Sequence, residues 1–441
     1  MALNLVLELA VLLAAIAIGA RVSGVGMGLW GGVGMVVLVF GFGAAPGHIP
    51  GEVLLIILTV IMAASAMEAA GGIDYLVRIA ARIIRKSPRH VTIVAPLVAY
   101  AFTFLAGTGH IFYPLLPVIY EVAMKGRVRP ERPIAAATIA SQQAITASPV
   151  SAATAALIAL LASKGIGLPQ ILLICVPATL LGVIAAALVQ TRIGVELDED
   201  PEYRRRLAAG EIEDAISPDT TSTPLPARAA WSAWMFLAGV VAVVGCGLFP
   251  SIRKLGPADA PVTMPMPVTI AMVMLAVAAA ILLFTKAPAA QVVRTKTCQA
   301  GITAVIGILG LAWLGDTFIE ANSKVIIGGL SSMAEAYPVS FALGLFVTSM
   351  LLYSQAATTQ ALMPLGIALG ISPAVLAASF PAVNGYFFIP TYGTLIAAVN
   401  FDRSGTTRIG KYVLNHSFMV PGLVATAVAV GSGLVIATTF F

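Results

Sequence analysis

The sequence predicts an all-α membrane protein with about ten transmembrane helices plus two re-entrant hairpins, arranged as an inverted repeat. Three observations carry this prediction. The first is composition: 59% of the 441 residues are hydrophobic and only 10% are charged, against about 25% charged in a soluble domain. The second is a pattern that occurs twice. Gly107 to Pro117 and Ser354 to Pro364 each interrupt an apolar stretch with small and polar residues and end at a proline, at a constant offset of 247 residues (107 to 354, 117 to 364). The third is the placement of the basic residues along the chain.

A span needs about 20 apolar residues. Ten segments meet this, at about 3–20, 25–43, 52–70, 134–162, 168–191, 231–249, 266–285, 299–319, 374–399 and 413–439. Segment 3–20 lacks a basic flank and a cleavage site, so it is expected to be a retained span rather than a signal peptide. Gly24, Gly26, Gly28, Gly31, Gly32 and Gly34 line the second segment and suit close helix packing. The basic, amphipathic run Ile73–Arg85 is expected to lie on the cytoplasmic surface. Segments 91–124 and 338–371 are too long for one span, too short for two, and broken in the middle. Each is therefore expected to be a hairpin of two half-helices.

The charges test that expectation. With both hairpins returning to their own side, 21 of the 25 Lys and Arg residues face one side and 4 face the other; treated as single spans, they divide 13 to 12. The bias of basic residues toward the cytoplasm selects the hairpins. It also places both termini outside the cytoplasm and brings the two hairpins in from opposite sides. The predicted organisation is a first repeat over 1–192 (scaffold 3–70, hairpin and broken helix 90–192), a cytoplasmic linker over 193–230, and a second repeat over 231–441 (scaffold 231–320, hairpin and broken helix 338–441).

A second polar break follows each hairpin, Gln142 to Ser151 and Asn384 to Thr394. Paired broken segments in two halves point to the binding site of a secondary transporter. Backbone leaving a helix at membrane depth needs protein or a wet cavity around it, and helix N-termini there favour anions. Without a convincing mid-membrane Lys or Arg, a small dicarboxylate would be held at both ends by helix ends, hydroxyls and amides. The candidate substrate-binding residues are Thr108, Gly109, His110, Gln142, Gln143, Thr146, Ser148 and Pro149 from the first half. From the second they are Ser354, Gln355, Ala356, Thr358, Thr359, Asn384, Pro390, Thr391, Tyr392 and Thr394. His110 is the one histidine at a hairpin tip, a candidate proton carrier or a neutral structural donor. Glu8, Glu68 and Asp316 are expected to pair at helix ends or snorkel, and Phe401–Arg408 to form a capped turn with an internal Asp–Arg pair.

At these positions the chain resembles the anaerobic C4-dicarboxylate transporter family of the DcuA/DcuB type. The matching strings are Gly107-Thr108-Gly109-His110, Arg129-Pro130-Glu131-Arg132-Pro133 and Ala147-Ser148-Pro149-Val150-Ser151, then Ser354-Gln355-Ala356, Ile389-Pro390-Thr391-Tyr392, Phe401 to Thr407 and Asn415-His416-Ser417-Phe418. Thr394-Leu395 looks more like the DcuA branch. Gly393 and Arg408 depart from the pattern, standing where proline and histidine are expected. The resemblance implies exchange or proton-coupled uptake of fumarate, succinate, malate or aspartate across a bacterial inner membrane. Likeness to the wider ion-transporter superfamily implies a homodimer with an elevator-type moving domain. The Asn-Thr pair of that superfamily's sodium-coupled carriers is replaced here by Thr108-Gly109 and Gln355-Ala356.

The alternative reading is a sodium-coupled importer of other organic anions. An enzyme is disfavoured because the four histidines, His48, His90, His110 and His416, are scattered and no catalytic set converges. Cys175, Cys246 and Cys298 show neither metal spacing nor a disulfide framework. No cofactor, metal or nucleic-acid partner is expected. The net charge of +5 is explained by the basic loops between spans, with the lipid bilayer as the partner.

Overall fold

The computed structural model describes residues 2–22, 25–47, 49, 51–212, 225, 227–257, 262–336, 338–352, 354–390, 392–410 and 414–441. Helix dominates, as the long apolar runs require. In the first half, α1 (Ala2–Val22), α2 (Gly26–Val36, continued by a wider turn over Val37–Gly41) and α3 (Gly51–Ala69) precede the basic helix α4 (Gly72–Arg85). The chain bends by 74° between α3 and α4. One face of α4 buries Ile73, Leu76, Ala80 and Ile84 while its arginines lie on the other, which is the arrangement expected of an interfacial helix.

The first hairpin follows as α5 (Val91–Ala106), a 3-10 segment over Gly109–Leu115 and α6 (Leu116–Lys125). The segment expected as one span over 134–162 is two helices, α7 (Glu131–Ala147) and α8 (Ala152–Leu161). Pro149 has no N–H to continue the first of them, and Ser151 caps the second by accepting from the N–H of Thr154 at 3.1 Å. α9 (Leu168–Gln190) completes this half and α10 (Pro201–Ala208) lies in the linker.

The element order then recurs. α11 (Ala227–Leu248), a two-stranded hairpin of β1 (Lys254–Leu255) and β2 (Val262–Thr263), α12 (Met266–Thr285) and the short α13 (Ala289–Val292) lead to α14 (Lys296–Ala336). α14 runs 41 residues, far beyond the expected span 299–319. The second hairpin is α15 (Pro338–Leu352) and α16 (Gln355–Ala368). The second interrupted helix is α17 (Pro373–Ser379), which tightens to 3-10 turns over Phe380–Phe387, followed by α18 (Gly393–Phe401). α19 (Met419–Phe440) closes the chain and begins six residues later than expected, leaving His416 in the preceding loop.

Among the described residues, six helices are long and apolar enough to cross a membrane, or seven if the bent α3–α4 pair counts as one span. That is fewer than the ten expected, partly because α1, α2 and α15 pass only as shorter apolar helices. Phe40, Val241, Leu283 and Phe284 are exposed by 70% or more, a surface suited to lipid rather than water.

α2 packs along α14 and α3 along α12; α5 packs on α7, α9 on α19, and α15 on the 3-10 turns that continue α17; α16 packs on both α14 and α8. Glu68 joins α3 to α14 at a helix end, as expected: its carboxylate accepts from the N–H groups of Lys296 and Thr297, at 3.2 and 3.1 Å, capping α14. Glu8 pairs with Asn322.

The start of the linker, through residue 212, is tied to the first half of the chain. Buried Arg129 bridges Glu131 and Asp200 at 2.6 and 2.5 Å, and Asp200 caps α10. The turn after α18 also differs from expectation. Among the described residues the carboxylate of Asp402 pairs with no arginine; it accepts from the N–H groups of Ser404 and Thr407 and the hydroxyls of Ser404 and Thr406. With the side chain 2% exposed, short neutral donors satisfy the charge without burying a second one.

Candidate functional site

The two hairpin breaks and the two helix interruptions meet around a cavity of about 630 Å³. Gly107 makes the first hairpin break with φ +68°, and a Cβ there would stand 2.8 Å from the Val150 carbonyl oxygen in the α7–α8 interruption. The first tip thus rests directly on the first interruption. Ser148 ties them further by donating to the Phe104 carbonyl at 2.6 Å. The second tip begins at Ser354, whose hydroxyl accepts from the N–H of Ala357 at 3.2 Å and caps α16.

Gln355, next in the chain, reaches across the centre. Its Nε2 donates to the Gln142 carbonyl at 2.9 Å and to Asn384 Oδ1. Asn384 Nδ2 in turn donates to Gln143 Oε1 at 3.1 Å, Thr146 Oγ1 at 3.3 Å and the Pro381 carbonyl at 3.0 Å. Gln143 Nε2 donates to Thr426 at 3.0 Å, and Gln142 Nε2 to Thr394 at 3.1 Å. This buried amide network joins the second hairpin, both interrupted helices and α19.

The network divides the candidate residues. Thr108, Gly109, Gln142, Ser354, Gln355, Ala356, Tyr392 and Thr394 line the cavity. Gln143, Thr146, Ser148, Pro149, Thr358, Thr359, Asn384 and Pro390 stand behind that wall. Thr358 and Thr359 donate to the carbonyls of Ser354 and Gln355, both at 2.8 Å, so these hydroxyls stabilise α16 itself. Asn384 is occupied by its amide partners. The His110 side chain and Thr391 lie outside the described residues.

Several lining residues were not anticipated from the sequence. Tyr113, Ser141, Ser151 and Tyr386 belong to the wall; Tyr113, Ser151 and Tyr386 lie inside the polar breaks without having been singled out, and Ser141 lies one residue before one. Tyr386 and Tyr392 pack with ring centroids 4.4 Å apart. Gly393 opens α18, and a Cβ there would lie 2.8 Å from the Tyr113 hydroxyl. The opposite wall comes from α3 and α14, including Ile57, Ala64, Thr297 and Gly301. Those residues carry no signal of their own, because an apolar or small residue facing a cavity reads like one facing a helix.

One titrating group touches the second interruption from its outer edge. His416 Nδ1 accepts from the Phe418 N–H at 3.2 Å, which leaves the proton on Nε2, 3.2 Å from the Phe388 carbonyl. Burial pushes this imidazole below its ordinary range, against the smaller opposing effect of the carbonyl. Among the described residues, no group of His, Cys, Asp and Glu side chains could hold a metal ion. Hydroxyls, amides and the first turns of α16 and α18 equip the cavity to hold a small polar solute by hydrogen bonds.

A cavity lined in part by the polar ends of broken helices, within lipid-facing helices, belongs to the class of membrane transporters, and comparison with known proteins agrees. Residues 4–441 match the family model described as "Anaerobic c4-dicarboxylate membrane transporter". The C4-dicarboxylate transporter DcuA of Wolinella succinogenes is 44% identical over 98% of this chain and 99% of its own, and DcuA of Escherichia coli K12 is 42% identical over the same shares. The anaerobic C4-dicarboxylate transporter DcuB of Escherichia coli O6:H1 is 37% identical over 98% of each chain. The crystal structure of the Alcanivorax borkumensis YdaH transporter is similar in fold, with TM-score 0.58 at 17% identity over 91% of this chain and 87% of that one. The protein belongs to the anaerobic C4-dicarboxylate membrane transporter family, nearer to its DcuA members, and is a multi-pass transporter rather than an enzyme.

Proposed function

We propose that the protein is a secondary transporter of four-carbon dicarboxylates such as fumarate, succinate, malate and aspartate, working by exchange or proton-coupled uptake across a bacterial inner membrane. One observation carries this reading: the tips of both hairpins and residues of both interrupted helices line the same cavity. Two anionic ends of one solute can then be met by donors from two halves of the chain. Family membership supplies the substrate class, since the relatives bear the name C4-dicarboxylate transporter.

The recurring element order and the uneven spread of basic residues support an inverted repeat, with the hairpins entering from opposite sides and both termini periplasmic. On this orientation the α3 and α14 wall, Ile57 to Ala64 and Thr297 to Gly307, lies toward the cytoplasmic half of the membrane. The packing of α5 on α7 and α9 on α19, and of α2 on α14 and α3 on α12, supports a moving unit of hairpins, interrupted helices, α9 and α19 that slides against α1–α3, α11, α12 and α14, with α16 against α14 as the sliding contact. A dimer of the latter set would provide the fixed frame.

Counterflow in proteoliposomes tests the function. Labelled fumarate should exchange against internal succinate, malate and aspartate, with and without sodium and a pH gradient, and lactate and citrate should compete poorly. Strong competition by lactate with none by the four-carbon diacids would refute the substrate class.

A further inference from the structure

Three basic side chains at the end of α4 face outward without an acid to meet them. α4 buries Ile73, Leu76, Ala80 and Ile84 against its neighbours, among them α11 and both arms of the first hairpin. Tyr75, Ile79 and Ile83 share one face of the helix by their spacing of four and are only partly covered, with Ile83 42% exposed. Arg85 pairs with Glu121 at 3.1 Å, and Glu121 also holds Lys125. Arg82, Lys86 and Arg89 are exposed and, among the described residues, have no acidic partner. A helix C-terminus attracts cations in its last turn, which accounts for Arg82 and Arg85. It does not account for Arg89, which lies beyond the helix, or for an exposed isoleucine among the charges.

A second observation marks the depth of this helix in the membrane. α11 starts beside α4, since a Cβ at Gly72 would stand 2.5 Å from the Ser232 hydroxyl. The first turns of α11 carry Trp231 and Trp234, 65% and 58% exposed, and the exposed Arg228. Exposed tryptophans at the end of a span lie at the level of the lipid headgroups. We infer that the outer face of α4 and the turn after it, with Arg82, Lys86 and Arg89 around Ile83, binds the headgroup of an anionic phospholipid. The apolar stripe lies along the acyl boundary, as in an interfacial helix, and each cation favours an anionic surface about fivefold. A zwitterionic lipid also brings a phosphate but cancels it with its own ammonium, so it leaves the three cations without a counter-charge. Because α4 joins α3 to the first hairpin, a lipid held here fixes that link at the membrane surface. Lipid binding at this face does not depend on which solute is carried.

The test places an indole between Arg82 and Lys86 with Ile83→Trp in the full-length protein. Its fluorescence, taken as the difference from the unmodified chain, is followed in vesicles of phosphatidylcholine and phosphatidylglycerol in which one or the other lipid has brominated acyl chains. Brominated phosphatidylglycerol should quench as if bound roughly tenfold or more tightly than brominated phosphatidylcholine. The preference should shrink in about 1 M salt, where the screening length is about 3 Å. Arg82→Gln/Lys86→Gln/Arg89→Gln in the same background should bring the ratio near one, whereas Arg82→Lys/Arg89→Lys should keep most of it. Arg192→Gln/Arg294→Gln/Arg408→Gln removes as many charges elsewhere and should leave the ratio unchanged. If Ile83→Trp fails to assemble, the thermal midpoint of the chain without it should rise more with phosphatidylglycerol than with phosphatidylcholine in neutral detergent, and that difference should vanish in the triple Gln variant of α4. Equal quenching by the two lipids, no quenching by either, an unchanged ratio in that variant or an equal loss in the charge-matched one would overturn the inference. So would abolition of the preference by inorganic phosphate at constant ionic strength, which would mark a site for a free anion.

Discussion

Gln355 and Gln142, 213 positions apart in the chain, are joined by a buried hydrogen bond of 2.9 Å from the amide of the first to the backbone carbonyl of the second. A carbonyl oxygen has two lone pairs, so this one can accept from the opposing hairpin as well as within α7, which ends at Ala147. Gln142 sits in its last two turns, where a side chain from the opposing hairpin can reach it. Through this contact the tip of one half is held against the interruption of the other.

Replacing Gln355 by leucine should therefore cost more than a contact with substrate. It strands Asn384 Oδ1 in a buried setting and removes a second donor from the Gln142 carbonyl, and a buried group left unsatisfied costs about 1–3 kcal/mol. Thermal unfolding in detergent should show clear destabilisation, and transport should fall at least tenfold. Asn384→Ala should destabilise comparably although Asn384 does not line the cavity. Near-normal stability in both variants would show that the network contributes little.

Gly393 and Tyr113 should behave as a coupled pair. A Cβ at position 393 would lie 2.8 Å from the Tyr113 hydroxyl, so Gly393→Ala pushes the tyrosine toward the cavity. Transport should drop several-fold with a small stability change, since only the end of one side chain must move. Adding Tyr113→Phe to Gly393→Ala should recover much of the loss, whereas independent, additive effects would contradict the close approach.

Arg129 should be a large stability determinant remote from the site. It is 4% exposed and neutralises Glu131 and Asp200 together. Breaking such a buried set by removing one partner typically costs about 3–5 kcal/mol. Arg129→Met should lower the thermal midpoint markedly, and neutralising both acids in the same variant should restore part of the loss. A wild-type midpoint for the single variant would show that water reaches the carboxylates.

Stability should also depend on pH through His416. Its folded value lies below the ordinary 6.5, so the folded state binds fewer protons there than the unfolded chain. The contribution is complete above about 6.5 and declines as pH falls from there toward the depressed folded value, because a protonated Nδ1 can no longer accept from the Phe418 N–H. The midpoint of the unmodified protein should fall more between pH 7.5 and 5 than that of His416→Asn, measured in the same detergent. Parallel curves would exclude the histidine as the source.

Much of the polar site was legible because helix breaks leave a composition trace. Gly107, Pro149 and Ser354 disrupt apolar runs, and breaks at membrane depth require polar company. The trace did not separate lining from support. Gln142 and Gln143 are adjacent and chemically identical, yet only Gln142 lines the cavity, while Gln143 turns to Asn384 and Thr426. Helical residues one position apart point about 100° apart, and which direction is the cavity depends on where the second half docks. The Asp402 turn shows the same limit: charges close in sequence suggested an Asp–Arg pair, but hydroxyls and N–H groups reached the carboxylate first.

The sequence by itself determined membrane embedding, the helical class, the four interruptions and the constant offset between the two hairpin breaks. These follow from local hydropathy, from proline and glycine, and from the cost of bare backbone in lipid, none of which needs a partner segment. Only the tertiary structure decided that the four interruptions share one cavity, that Asn384 braces it rather than lining it, and that α3 and α14 provide its far wall. Those outcomes depend on contacts between residues hundreds of positions apart, where an amide that lines the cavity and one that braces it have the same letter in the chain.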